Sequence, residues 1–405
     1  MSVTTPLEEL GYPLFYEVED ADRLDLAAPG PRLGQAQRTR IRHLAGMQKE
    51  ALVTSSLSGR TWRLASDEGD YLDGADVAPC PLAFMTTGMV CSFANQVLAL
   101  AEARGLDLRD LELVQDNYYT MSGSALRGDM TGGALAPDVE VRVDSDADEA
   151  TLQELVEDAV ATAPVWGLLS GELTSRFALA RNGEALAPDR VADLDAPLLA
   201  DEATVFEDLP REAGVVAELD GPLARNTGRK TEPFDGERGK YTTGAGSSLS
   251  EEQDRVLHLR GTCTLRDDGV KQVEVKLYSP QGSVFELLSE EPEGRGGEGR
   301  APDAMTYVAA GVGFCFMTQV GRYADIVGTE LSDYRIVQDT HVATGSASGG
   351  VVEPARADPV ETHVFLDSPE DDDVARDVLD MSEQTCFLHA LCRTDLEPAV
   401  EVTRR

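Results

Sequence analysis

The chain has 405 residues, 42% of them hydrophobic, and 73 acidic against 35 basic side chains give it a formal net charge of −38. That length supports more than one domain with a sizeable core, and so acidic a surface repels nucleic acid and anionic membranes, both of which require basic footprints. Six cysteines without a CxxC pair, in a chain this long, exclude the disulfide framework of small secreted domains.

In chain order, residues 1–30 read as a lead-in segment rich in Pro, Gly and acidic residues. Glu8, Glu9, Glu17, Glu19 and Asp20 stand where a signal peptide needs a basic start and an apolar stretch, and no uninterrupted run of about 18 apolar residues follows, so a cytoplasmic protein is expected. Residues 31–177 form the first unit. Alternating or β-branched stretches at 39–44 and 51–57, broken by Gly46 and Gly59, predict antiparallel hairpins. A polar Gly-rich loop, 67–77, then leads through Pro79 into an apolar segment that predicts a helix buried on nearly all sides. Strands at 111–119 and 139–143 follow, and a closing helix begins near Asp148, whose charge suits the helix dipole, and runs towards Leu169. Residues 178–252 have the composition of a connector, ending in the Gly/Ser/Thr-rich stretch 242–248. The second unit, 253–405, repeats the order: strands at 257–265 and 273–278 around an Asp267-Asp268-Gly269 turn, the loop 290–300, a helix led by Pro302, strands at 334–342 and 362–366, and a closing helix from Asp371 towards Leu391. The fold class expected is α+β.

The second unit repeats the first in sequence as well as in order. Residues 59–173 align with 282–396 at a constant offset of 223 without a gap. Leu64, Ser66, Glu68, Gly74 and Pro79 recur as Leu287, Ser289, Glu291, Gly297 and Pro302, and Val114-Gln115-Asp116 recurs as Val337-Gln338-Asp339. The expectation is a tandem duplication whose copies pack as an intramolecular pseudo-dimer, with further self-association left open. The register also shows what one copy lacks. Ser92 stands opposite Cys315 and Ala163 opposite Cys386, which suggests one chemically competent half and one structural half.

The acidity is spread along the chain, and only five basic residues are Lys. Such a surface suits a salt-rich, halophilic cytoplasm, where repulsion is screened over about 3 Å at 1 M salt. Cys80, Cys263 and Cys392 read as core filler. Cys91 is one position from Ser92, turned about 100° around the helix, and reads as core too. Cys315 differs, because Ala310, Gly311 and Gly313 beside it would let another backbone or a ligand approach closely.

The order of strands, Gly-rich loop, Pro-led helix with a central Cys, further strands and a second Cys resembles the OsmC/Ohr family of thiol-dependent hydroperoxide reductases. The resemblance covers both repeats and is strongest in the second, where Ala301-Pro302-Asp303-Ala304-Met305 precedes Ala309-Ala310-Gly311. It implies that Cys315 is the peroxidatic and Cys386 the resolving cysteine, acting on small organic hydroperoxides with a dithiol as reductant and with no cofactor or metal. Two positions depart from the family pattern: Thr306, and Ala83 in the first repeat, replace a Glu that positions an activating Arg, and Phe387 replaces a Pro beside the second cysteine. Arg322, Arg260, Arg266, Arg38, Arg40 and Arg42 are the candidates for that Arg, and Phe314, Phe316, Met317 and Tyr323 are expected to line the pocket. The alternative reading is a non-catalytic, small-ligand-binding or redox-sensing OsmC-like protein. A zinc site would have to draw on His341, His363 and His389, or on Cys386, His389 and Cys392, which rotate around a helix, and no metal is expected.

Overall fold

The computed structural model describes residues 5–19, 21–201, 203–209, 219, 221–234 and 248–405. Its first half runs α1 (Pro6–Leu10), β1 (Phe15–Glu17), the meander β2 (Gln35–Ala45), β3 (Gln48–Ser55) and β4 (Thr61–Ser66), the long helix α2 (Pro81–Arg104), β5 (Arg109–Ser124) and β6 (Thr131–Asp144), α3 (Glu149–Thr162), α4 (Trp166–Leu169) and β7 (Arg176–Arg181). Three short strands follow, β8 (Glu184–Leu186), β9 (Ala192–Asp193) and β10 (Ala224–Lys230). The second half runs β11 (Glu252–Leu265), β12 (Lys271–Ser279), β13 (Ser283–Ser289), the long helix α5 (Ala304–Val327), β14 (Asp333–Ala343), the small strands β15 (Ser346–Ser348), β16 (Val351–Glu353) and β17 (Arg356–Ala357), then β18 (Glu361–Asp367), α6 (Asp372–Thr385), α7 (Phe387–Cys392) and β19 (Ala399–Arg404). The fold is mixed α+β. The bounds of α2 and α5, of α3 and α6, and of β7 and β19 stand 223 residues apart at both ends.

Each large sheet draws strands from both halves. One has the order β1-β4-β3-β2-β14-β18-β7-β8, the other β10-β13-β12-β11-β5-β6-β19. The seams are the antiparallel pairs β2 with β14 and β11 with β5. The Asp of each repeated Val-Gln-Asp tripeptide ties a seam across the halves: Asp339 takes a two-pronged bond from Arg38 at 2.8 and 2.7 Å, and Asp116 takes one from Arg260 at 2.9 and 2.7 Å. Such forked guanidinium–carboxylate pairs fix register as well as adding energy.

The helices fill the space this arrangement leaves. α5 packs on β2, β3 and β14 of the first sheet, α2 on β11, β12 and β5 of the second, and α2 and α5 pack on each other. Both are long and apolar enough to cross a bilayer, yet most of α2 and all of α5 in the apolar window are buried inside the protein. Their close approach needs Gly88 and Gly311, again 223 residues apart. A Cβ on Gly311 would lie 2.8 Å from the backbone nitrogen of Met85, and one on Gly88 would lie 2.7 Å from the carbonyl oxygen of Ala304. The small residues near Cys315 therefore admit a neighbouring backbone, and Gly313 faces Ile41 and Ile336 of the first sheet.

Four details differ from the sequence-based expectations. The long helices begin two residues after Pro79 and Pro302: Pro81 opens α2, and Asp303 caps α5 by accepting from Thr306 N–H. The closing helices break at Ala163 and Cys386, both in extended backbone, before α4 and α7. The connector region supplies β10, which borders β13, and most of β7, which joins β18 in parallel. The lead-in supplies β1 on β4. Edge strands gain a ladder of backbone hydrogen bonds when such segments cover them, a gain that composition does not reveal. Of the stretch 242–248, only Ser248 lies among the described residues.

Candidate functional site: a thiol pocket between the halves

Cys315 sits in the middle of α5, only 2% exposed, and the break between α6 and α7 brings Cys386 to it. Both are free thiols. Burial pushes the Cys315 thiol well above its usual range, the adjacent Cys386 thiol pushes it further, and the backbone N–H of Leu388, at the start of α7, acts in the opposite sense. Neighbouring thiols need only a small shift to reach the S–S bond length of about 2 Å.

The carboxylate at this thiol comes from the other half of the chain. Glu68 follows β4, and its side chain accepts from Tyr71 OH at 2.8 Å and from Thr318 Oγ1 at 3.0 Å, three residues beyond Cys315 on α5. The loop that carries it is clamped twice. Ser66 Oγ donates to the Pro79 carbonyl at 2.9 Å, and Gly74 lies so close that a Cβ there would sit 2.0 Å from the Glu68 carbonyl oxygen. Ser289, Pro302, Gly297 and Glu291 build the matching loop in the second half, with the same Ser–Pro bond at 2.9 Å. Burial pushes the Glu68 carboxyl up, opposed mainly by the charge of Lys49. Lys49, wholly buried, donates to the Met47 carbonyl, and burial pushes its amine down.

Two guanidinium groups complete the pocket. Arg322 donates to the Ser248 carbonyl at 2.7 Å and to Gln319 Oε1 at 3.1 Å, and burial, followed by the nearby charge of Arg255, pushes it down to about 9. Arg255 donates to Ser248 Oγ, and burial pushes it down while Tyr71 and Glu68 hold it up. Cys315, Glu68, Arg255, Arg322, Cys80 and Phe387 all face one cavity of ≈ 30 Å³, room for a water or two.

The sequence-predicted residues divide accordingly. Cys315 and Cys386 come together, and Arg322 reaches the same cavity despite its distance along the helix. The other arginines are engaged elsewhere: Arg260 with Asp116, Arg266 with Asp268, Arg38 with Asp339, Arg42 with Glu50, and Arg40 with the Ala27 carbonyl. Thr306 bonds to its own cap, Asp303. The pocket wall is not the expected one. Phe314 packs on Phe84, Phe316 on Phe177 and His389, Met317 is buried in the core, and Tyr323 lies outside the cavity lining; Tyr71, Leu82, Met121, Leu257 and Phe387 line it instead. Cys80, expected as core filler, borders the cavity with its thiol pushed up to about 12 by burial. Cys91 points away from it to meet Cys263.

Glu68 and Arg255 are what sequence reasoning missed. Glu68 carried a signal, since it recurs with Gly74 as Glu291 and Gly297 in a loop where most residues differ; Arg255 carried none, because its strand β11 packs on α2 and reaches the Cys315 cavity only in the folded protein. The three histidines lie apart: His341 accepts from Arg32 N–H, His363 from Leu199 N–H, and His389 pairs with Ser175. Among the described residues no cluster of His, Cys, Asp or Glu is arranged to hold a metal ion.

Two mixed sheets around a buried helix pair, with Cys315 and Cys386 meeting beside a pocket, define an α+β protein. The C-terminal part is OsmC-like: residues 297–401 match the family model described as OsmC-like protein. A solved structure, an OsmC-like hydroperoxide resistance protein from Jannaschia sp. CCS1, is similar at 20% identity over 31% of this chain and 79% of that one, with a TM-score of 0.20. No curated protein matches the chain.

Proposed function

We propose that the chain is a tandem pair of OsmC-like units, residues 31–177 and 253–405, folded as an intramolecular pseudo-dimer, and that its second unit reduces small organic hydroperoxides through Cys315 and Cys386. The observation that carries this reading is the meeting of those two thiols beside Glu68, Arg255 and Arg322. Glu68 takes the Cys315 proton, and the guanidinium groups offset the charge of the thiolate that forms. The sulfur attacks the terminal oxygen of the hydroperoxide, the O–O bond breaks, and the alkoxide leaves as an alcohol with the proton from Glu68. Cys315 is then a sulfenic acid. The Cys386 thiol displaces its hydroxyl as water to give a disulfide, and an external dithiol reduces that disulfide, becoming oxidised itself. The first unit, with Ser92 and Ala163, walls this site and carries no such chemistry. The −38 charge supports a salt-rich cytoplasm as its setting.

A second reading has its own support. Burial pushes the Cys315 thiol up, and a cavity of ≈ 30 Å³ holds no organic hydroperoxide until Tyr71 or Phe387 moves. Those features favour a slow redox sensor that forms the same disulfide once per oxidation.

Peroxide titration with mass spectrometry tests both. The expected products are a Cys315–Cys386 disulfide in the wild type, a sulfenic acid at Cys315 in Cys386→Ser, and neither in Cys315→Ser, with Cys91→Ser behaving as the wild type. Continuous turnover of cumene hydroperoxide with dithiothreitol supports the enzyme; one disulfide per chain without turnover supports the sensor. A wild type that forms no such disulfide overturns both.

A further inference from the structure

A much larger cavity lies at the other end of the helix pair, around Ser92. It offers ≈ 470 Å³ of water-accessible space against ≈ 30 Å³ at Cys315. The walls of the two cavities correspond through the 223-residue offset: Ser92 with Cys315, Glu291 with Glu68, Asn95 with Thr318, Gln96 with Gln319, Thr344 with Met121. The carboxylate bond corresponds as well, with Asn95 Nδ2 donating to Glu291 at 2.6 Å where Thr318 donates to Glu68.

What differs is bulk. Where the thiol cavity is filled by Arg322, Tyr71 and Phe387, the Ser92 cavity has Ala99, Gly294 and Pro164. Loss of reactivity alone requires only Cys→Ser, and a relic with a purely structural role gains nothing from truncated walls, since an unfilled polar void forfeits packing. Three large-to-small differences at one site, against one small-to-large difference from Leu72 to Arg295, have instead opened it.

Some of the polar groups around this space lack hydrogen-bond partners in the protein. Lys271 is only 3% exposed and lines the cavity; its charge acts on Glu291, yet among the described residues its ammonium makes no hydrogen bond or close ion pair. Ser92 is 2% exposed, and its Oγ has no partner; the Oδ1 of Asn95 has none either. Unpartnered buried groups of this kind are costly unless something satisfies them. The wall thus presents two cations, Arg295 and the buried Lys271, together with hydrogen-bond acceptors, set among the apolar surfaces of Leu57, Leu98 and Met305.

We propose that the Ser92 cavity binds a small polar carboxylic acid, its carboxylate on Lys271 and its hydroxyl or N–H groups on Glu291, Asn95 Oδ1 and Ser92 Oγ. This site is separate from the thiol pair and does not depend on its chemistry. The first unit has a receptive pocket where the second has a reactive one.

Isothermal titration calorimetry of the full chain tests it, with gluconate, citrate and N-acetylglutamate as probes at millimolar concentration and glucose as the control lacking a carboxylate. At least one acid binds and glucose does not. Lys271→Met weakens that binding by about tenfold or more, as expected for loss of a charged hydrogen bond. Ala99→Arg, on the exposed face of α2, restores the bulk found opposite at Arg322; it reduces binding at least as much while leaving peroxide-driven formation of the Cys315–Cys386 disulfide at its wild-type rate. Should Lys271→Met fail to fold, Ala99→Arg decides. The proposal is overturned if no acid binds, if glucose binds as well as the acids, or if Ala99→Arg binds like the wild type. Loss of the disulfide with binding intact would instead count against the thiol reading alone.

Discussion

The Cys315 and Ser92 sites stand on corresponding turns of two helices packed together, each faced by a carboxylate from the opposite half, and they have come to opposite ends. One is narrow, lined by Arg255, Arg322 and the thiols of Cys315 and Cys80; the other is roomy, thiol-free and polar, with Lys271 and Arg295 in its wall. The backbone is nearly the same in both: Cys386 holds φ −72°, ψ 117° where Ala163 holds φ −66°, ψ 136°. Chemistry at these sites is therefore set by side chains on a shared frame, and the loops that deliver Glu68 and Glu291 belong to the frame.

The largest contrast is expected between the two carboxylates. Glu68→Gln keeps the Tyr71 and Thr318 neighbours but removes the proton acceptor, and should slow disulfide formation by peroxide about 10²-fold. Glu291→Gln should leave that rate unchanged. Stopped-flow measurement on both variants checks this, and equal slowing would mean that Glu68 acts through structure alone.

The shared frame can be broken at its crossing point. Gly311→Ala and Gly88→Ala each force a methyl against the partner helix's backbone, and each should cost about 1–3 kcal/mol of stability, as overpacking does. Urea unfolding of the two variants measures the cost. If only one is destabilised, the helix pair is less symmetric than its close approaches indicate.

The smallest effect sharpens the electrostatic side. Burial, together with the Asp303 carboxyl, pushes Glu291 from 4.5 up to about 7. The folded protein then holds a proton that the unfolded chain has already released. Its contribution to stability is complete below pH 4.5 and is lost as the pH rises towards 7. Glu291→Gln should flatten that part of the profile and be more stable than the wild type above it. Thermal melts across this window test the sign, and identical slopes would remove Glu291 as the cause.

Much of the frame was legible in the sequence because it depends on local rules. Long apolar segments led by Pro79 and Pro302 located the buried helices, Asp148 and Asp371 marked the helix starts they do cap, and the ungapped offset of 223 matched long helix to long helix and closing helix to closing helix. It also matched Cys315 to Ser92 and so singled out the unequal sites. Arg322 stood among the sequence candidates, but Arg255, the second arginine of the thiol pocket, could not be read this way, nor could the pocket wall. Arg255 reaches Cys315 through a strand paired with the other half, and Phe314 and Phe316, neighbours of the thiol in sequence, point into the core because a helix turns successive side chains about 100° apart. The connector misled for a related reason: a strand such as β10 is stabilised by the edge of β13, and its own residues carry little of that signal. The sequence by itself determined the ungapped offset of 223, the buried helices and the two cysteines that differ between corresponding positions. The tertiary structure decided which half supplies each site's carboxylate and cations, because those groups meet only where the two halves share sheets.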